Sequence, residues 1–278
     1  MPLNGNSQLI AHIGYPTSTF KAPMIYNPYF ESIGLNACVV PMGVKGEDFS
    51  ITLPAIFRMS NVLGALITMP HKISVIPMLV ALSETAAIAG SCNAVRRRAD
   101  GLLEGDMFDG EGFVRGILRK GRAVAGASVL VVGAGGVGSA IAASLAKVEP
   151  GRIGLFDVKP AMAEGLAGRL SKHYPALPVS TGSNDPAGFD IIVNATPLGM
   201  VAGDPMPVDM ARVSPASFVG EVVMKQEKTA FVLAAEALGC QVQPGIDMLF
   251  EQIPAYLEFF GLPTTTPENL RALAQVSY

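Results

Sequence analysis

The sequence predicts an α/β protein of two domains built mostly on parallel sheets. Three observations carry that prediction. The chain has 278 residues, half of them hydrophobic and only 15% charged. That is too long for one ordinary domain and apolar enough to bury a sizeable core, which excludes intrinsic disorder. Short runs rich in β-branched residues alternate with longer stretches of helical spacing, the signature of strand–helix–strand units. A glycine-rich hexapeptide also follows the most apolar of those short runs directly, as it does where a parallel strand turns into a helix.

In chain order, residues 9–13 read as a strand and 23–33 as a helix that stops before Gly34. Residues 38–41 read as a second strand and 65–68 as a third, stopped by Met69-Pro70. Residues 73–89 carry helical spacing, which puts Lys72 at a helix start just after a strand. A second block opens near Asp109 with a helix over 110–118, and a polar segment then leads to the strand at 128–132. Helices at 138–148 and 161–173 flank a strand at 152–157, and strands follow at 190–194 and 217–223. Helices at 229–238 and 246–260 close the pattern.

Composition removes several classes of function. The net charge is −3 and the pI about 5.7, and the densest basic run, Arg96-Arg97-Arg98, is soon answered by Asp100 and Glu104. Nucleic acid is therefore not expected as a partner, because a phosphate backbone demands clustered cations. The apolar stretch at 128–145 is interrupted by Gly133, Gly135, Gly136 and Gly138 and reads as strand, turn and helix rather than a membrane span. The first residues lack a basic segment and a long apolar core, so a cytoplasmic location is expected. Cys38, Cys92 and Cys240 are far apart and form no CxxC pair; buried structural thiols are expected, and no metal site.

Gly133-Ala134-Gly135-Gly136-Val137-Gly138 fits GxGxxG between an apolar strand and an alanine-rich helix. Gly133 permits the tight turn, Gly135 lets the backbone approach a pyrophosphate, and Gly138 lets helix and strand pack closely, with helix N-terminal amides facing the anion. This is the fingerprint of a Rossmann-type, doubly wound parallel sheet. The next strand ends at Asp157, about twenty residues on, where an acidic side chain hydrogen-bonds the adenosine ribose. A carboxylate there repels a 2′-phosphate, so NAD is favoured over NADP. The run Asn194 to Met200, with Thr196 and Pro197 at its centre, follows another apolar strand and is expected at the carboxyl edge of the sheet, near the nicotinamide half.

Oxidation of an alcohol needs a group that takes the hydroxyl proton as hydride leaves. The histidines are poor candidates: His12 lies in an apolar strand, His173 at a helix end, and His71 beside the better candidate, Lys72. Asp109 stands at the junction of the two blocks. Taken singly, either charged residue is more often a solvated surface group than a catalyst.

Together these segments make the chain resemble the shikimate/quinate dehydrogenase family, nearly end to end. The T-I-P-H-K-like segment of that family is matched by Thr68 to Lys72, and its A-V-N-T segment in part by Cys92 to Val95. Its G-x-N-T-D-G-x-G-F stretch aligns with Gly105 to Phe113, keeping Asp109 but carrying Met107 and Phe108 for Asn and Thr. N-A-T-P-x-G-M is intact at Asn194 to Met200, and G-x-x-M-L-x-x-Q appears as Gly245, Met248, Leu249 and Gln252. The resemblance implies an N-terminal α/β substrate domain over 1–108, completed by 245–278, and a cofactor domain over 109–244. It implies Lys72 and Asp109 as a catalytic pair, with Thr68, Asn93 and Gln252 holding substrate hydroxyls. The cofactor would lie on the glycine turn, Asp157, Thr196, Pro197, Gly245 and Met248. A small-molecule cyclic alcohol is the expected partner, and the protein a monomer or homodimer.

The departures from the family pattern bear on the substrate. Two serines that hold the substrate carboxylate in the family become Phe20 and Ala22, aligned on Gly14, Pro16, Pro23 and Asn27. A family Asn becomes Leu66, and a Tyr that reaches the substrate becomes Met224; Glu221 and Gln226 replace an Asp and a Pro nearby. Ser18, Thr19 and Lys21 lie close by, and a one-gap realignment brings Ser18 nearer the lost serines. Each lost charge-assisted hydrogen bond is worth about 1.5–3 kcal/mol, so two losses weaken carboxylate binding about a hundredfold or more. The expectation is a retained hydride-transfer apparatus acting on a shikimate-like cyclic alcohol other than shikimate. The alternatives are a true shikimate dehydrogenase with a rebuilt carboxylate site, and a non-catalytic NAD-binding sensor.

Overall fold

The computed structural model describes residues 3–276. The chain divides into two compact units, Met1–Phe108 with Ile253–Tyr278, and Asp109–Gln252.

The first unit opens with β1 (Gln8–Gly14), α1 (Pro23–Ser32), β2 (Ala37–Gly43), α2 (Phe49–Ile56) and β3 (Val62–Ile67). β4 (Ala81–Leu82), α3 (Glu84–Ala89), β5 (Ala94–Arg97) and β6 (Leu103–Asp106) follow. The six strands form one sheet in the order β2-β1-β3-β5-β6-β4. β1 runs parallel to β2 and β3, whereas β5 is antiparallel to both β3 and β6. Alternation along β1 places Ala11 and Ile13 in a core with Phe49, Leu53, Val62 and Ile67, and leaves Ile10 and His12 on the other face.

The second unit carries α4 (Asp109–Arg119), β7 (Ser128–Val132), α5 (Gly136–Ala146), β8 (Arg152–Phe156), α6 (Pro160–His173), β9 (Val179–Thr181) and β10 (Ile191–Asn194). It continues with β11 (Phe218–Glu221), α7 (Ala230–Ala237), β12 (Gln241–Gln243) and α8 (Gly245–Phe259), and α9 (Pro267–Leu273) returns to the first unit. Its strands lie in the order β12-β11-β10-β7-β8-β9, all parallel. That is the order of a doubly wound dinucleotide-binding sheet, whose strand order reverses between β7 and β10.

The expected helix over 73–89 does not form. A 3-10 turn at Ile76–Met78, the strand β4 and the short helix α3 take its place. Pro77 lacks the N–H that a helix interior needs, the Val80 N–H bonds to Leu103 O at 2.9 Å, and Ser83 caps α3 by accepting from the Ala86 N–H at 3.1 Å. Lys72 therefore stands in a turn, not at a helix start. The helices α2 and α9 and the strands β5, β6, β9 and β12 were not expected from local pattern.

The two units divide inside α8, at 252/253 rather than at the expected 244/245. The first half of α8 packs on α4, where a Cβ on Gly112 would meet the Met248 carbonyl at 2.7 Å and Gln252 Cβ at 2.6 Å. An ion pair joins the same helices, Arg119 to Glu251 at 2.6 Å, and Lys120, just past α4, pairs with Asp247 at 3.0 Å. The last turns of α8 instead face the first unit, with Arg96 over the Phe259 ring at 4.4 Å and Tyr256 against Phe108 at 4.9 Å.

Candidate functional site

In the second unit, β7 ends in a turn shaped by close contacts. Gly133 takes φ +104°, a region that favours glycine, and its missing Cβ would lie 2.7 Å from Ala195 O. A Cβ on Gly138 would lie 1.9 Å from Gly133 O, so α5 approaches the strand end as only glycine allows. Nothing lies within 4 Å of a Cβ on Gly135, and Gly136 and Val137 are half-buried at the first turn of α5. The turn is thus closed beneath and open above its middle glycine, with helix N–H groups at its mouth. Such a concavity fits a dinucleotide's diphosphate.

Asp157, just past β8, accepts the Ala134 N–H at 2.8 Å and the Lys159 N–H at 2.9 Å. Beside the glycine turn, β10 pairs with β7 so that Asn194 sits opposite Val132. Pattern reading missed the organiser here. Asn194 is fully buried; it donates to Leu198 O at 3.0 Å and accepts from the Thr196 N–H and hydroxyl at 3.1 and 2.6 Å. Asp204 accepts the N–H groups of Gly199 and Val201 at 2.9 and 3.0 Å and closes the turn. Thr196 is half-buried and Pro197 exposed, both at the carboxyl edge of the sheet.

Met224 lies half-buried in the loop after β11. At that strand's end, Glu221 is fully buried and accepts the Thr229 hydroxyl at 2.7 Å, while its other oxygen, Oε1, has no hydrogen-bond partner. Burial holds the Glu221 carboxyl above its ordinary pKa, with the Thr229 hydrogen bonds pulling the other way. A Cβ on Gly245 would lie 2.2 Å from Val223 O, so α8 begins hard against this loop. Asp109 is the buried first residue of α4. Met248 and Gln252 are buried on the face of α8 that meets α4, and Gln252 Oε1 has no hydrogen-bond partner.

In the first unit, the carboxyl ends of β1 and β3 meet. Thr68 donates its N–H to Ile13 O at 2.9 Å and accepts the His71 N–H at 2.9 Å, which folds the turn carrying the half-buried Lys72. His71 is structural: its Nε2 lies 2.7 Å from Val44 O, and its ring stacks on Phe49 at 4.0 Å. A Cβ on Gly14 would meet Thr68 Cγ2 at 2.4 Å and Phe20 Cζ at 3.0 Å, so Thr68 and Phe20 converge on the strand's glycine. The Phe20 ring stacks on His12 at 4.0 Å. Ala22 is buried where α1 begins. Asn93 is buried and accepts the Phe108 N–H through Oδ1 at 2.9 Å.

Lys72 thus belongs to the first unit and Asp109 to the second. All three cysteines are buried thiols, and burial pushes Cys92 up to about 12, far from thiolate reactivity. Among the described residues no group of three or more His, Cys, Asp or Glu could hold a metal ion, and no helix is long and apolar enough to cross a membrane.

Residues 12–95 match the family model of the shikimate dehydrogenase substrate binding domain. The chain is 33% identical over 277 residues to the shikimate dehydrogenase (NADP(+)) of Rubrobacter xylanophilus, covering 98% of this chain and 97% of that one. It superposes on the shikimate 5-dehydrogenase of Listeria monocytogenes, solved in complex with shikimate and NAD, with a TM-score of 0.91, 25% identity and 98% of each chain covered. The 5-ketofructose reductase of Gluconobacter sp. strain CHM43 gives a TM-score of 0.88 at 26% identity, covering 97% of this chain and 98% of that one.

Proposed function

The chain belongs to the shikimate/quinate dehydrogenase family of NAD(P)-dependent oxidoreductases, and on that premise we propose that its substrate is a shikimate-like cyclic alcohol without the carboxylate, used with NAD. The observation that carries the substrate reading is the wall beside Gly14. Phe20 fills it with a ring stacked on His12, and Ala22 is buried at the start of α1. Neither offers the hydroxyl that would hold a carboxylate, and an anion left there unpaired bears its full desolvation cost. The same fold serves the Gluconobacter 5-ketofructose reductase, and a keto sugar carries no carboxylate.

The dinucleotide supplies the hydride acceptor in oxidation and the donor in reduction. Lys72 and Asp109 hydrogen-bond the reacting oxygen and take its proton between them, returning it in the reverse direction. Thr68, Asn93 and Gln252 orient the ring through its other hydroxyls. The Phe108 N–H holds Asn93 Oδ1 and fixes the amide's orientation. Gly133 to Gly138 hold the diphosphate; Thr196, Pro197, Gly245 and Met248 flank the nicotinamide half. Asp157 supports the preference for NAD, because its carboxylate is fixed beside Ala134 by two backbone N–H groups where a 2′-phosphate would meet it.

Steady-state turnover of shikimate, quinate, and cyclic polyols and keto sugars lacking a carboxylate, each with NAD and NADP, tests this reading. The expected result is higher kcat/KM on a carboxylate-free member and with NAD. Efficient turnover of shikimate at micromolar KM would instead favour a shikimate dehydrogenase whose carboxylate is met elsewhere, for instance by Lys21.

A further inference from the structure

His12 is a polar residue where the strand has no structural use for one. It lies on β1 between Ala11 and Ile13, paired with Pro41 on β2 and Leu66 on β3. Only 8% of it is exposed, Nδ1 is sealed without a partner, and the ring makes no hydrogen bond among the described residues. Leaving a buried polar group unmet costs about 1–3 kcal/mol, and a valine or leucine would fill the same strand position at no such cost.

One contact and one strand position tie His12 to the substrate wall. Its ring lies against Phe20 at 4.0 Å with 25° between the planes, and Phe20 is the side chain that displaces a carboxylate-holding serine of the family. Gly14, two residues on and on the same face of β1, is the point where Phe20 and Thr68 converge. The tautomer follows from Nδ1. An unmet lone pair costs less than an unmet N–H, so Nδ1 is the bare nitrogen and the proton sits on Nε2.

We propose that His12 is a substrate-binding residue whose Nε2–H donates to a hydroxyl or carbonyl oxygen of an uncharged polyhydroxy substrate, at the end of the pocket that lacks a carboxylate clamp. The assignment rests on the substrate reading above and deepens it. Burial, with the Lys72 charge nearby, pushes the His12 imidazole down to about 4, so at neutral pH it offers a hydrogen bond and no counter-charge. That suits a hydroxyl or ketone and does little for a carboxylate.

The test compares His12→Phe, which keeps a ring on Phe20 and removes the donor, with His12→Gln, whose amide nitrogen reaches about as far as Nε2. His12→Leu is read alongside, in case the phenyl ring does not fit. On the best wild-type substrate, the Phe or Leu variant is expected to raise KM at least tenfold, with kcat within threefold and the KM for NAD unchanged. His12→Gln should recover most of the loss. A KM within twofold of wild type in both the Phe and Leu variants overturns the assignment, as does failure of Gln to recover anything. If shikimate proves the preferred substrate, the substrate reading fails by itself. His12 then stands as a ligand only if His12→Phe raises the KM for shikimate tenfold. Absence of turnover on every compound with either cofactor sinks both.

Discussion

The Asp157 carboxylate accepts the Ala134 N–H at 2.8 Å through one oxygen and the Lys159 N–H at 2.9 Å through the other. The end of β8 thereby pins the glycine turn at the end of β7, and one side chain shapes the turn and sets the charge beside it.

Replacing Asp157 with Ser removes the charge and loosens the turn. The KM for NAD is expected to rise about tenfold, consistent with the loss of one charge-assisted hydrogen bond, and the NAD-to-NADP ratio of kcat/KM to fall by at least as much. Steady-state kinetics with both cofactors reads it; an unchanged ratio would remove Asp157 from cofactor selection.

Gly138→Ala tests the closeness of α5 to the strand end. A Cβ 1.9 Å from the Gly133 carbonyl must push helix and turn apart, at a cost of about 1–3 kcal/mol. A lower Tm and weakened NADH binding are expected, measured by thermal melting and fluorescence titration. Gly135→Ala, with open space around it, should leave the Tm nearly unchanged.

Lys72→Ala and Asp109→Asn should each lower kcat by about 10²–10⁴, the usual worth of general acid–base catalysis, with NADH affinity within twofold of wild type. Equal kcat in variant and wild type would remove that residue from the proton transfer.

His12 also predicts an acid-sensitive fold. Its pKa falls from 6.5 to about 4 on folding, chiefly through burial, so the unfolded chain binds the extra proton between those values. Its contribution to stability is whole above pH 6.5 and is lost as pH falls toward 4, by on the order of 3 kcal/mol. His12→Phe should therefore lose less Tm between pH 7 and pH 4.5 than wild type. Parallel Tm curves would show that the His12 ring is not held neutral.

Local pattern carried much of the architecture. β7 falls on the residues expected of it, because a fully buried parallel strand is a short apolar run that ends where glycine begins. Most of the doubly wound half was legible for the same reason, except β9 and β12, whose three residues each are too few to show a period. β5 and β6 were not. Arg96 and Arg97 sit in one and Glu104 in the other, which breaks the apolar run, and the strands become visible only through their pairing with each other and with β3. The 73–89 segment failed similarly, its helical spacing overruled by Pro77 and by pairing of β4 with β6.

By itself the sequence determined the fold class and the glycine turn, because period and glycine position are local properties. Tertiary structure decided what neighbours each residue has. It put Asn194 at the centre of a turn, committed both Asp157 oxygens to backbone amides, and turned an apolar-strand histidine into a buried imidazole lying on Phe20. Such contacts join residues distant in the chain, and only packing brings them within hydrogen-bonding or stacking reach.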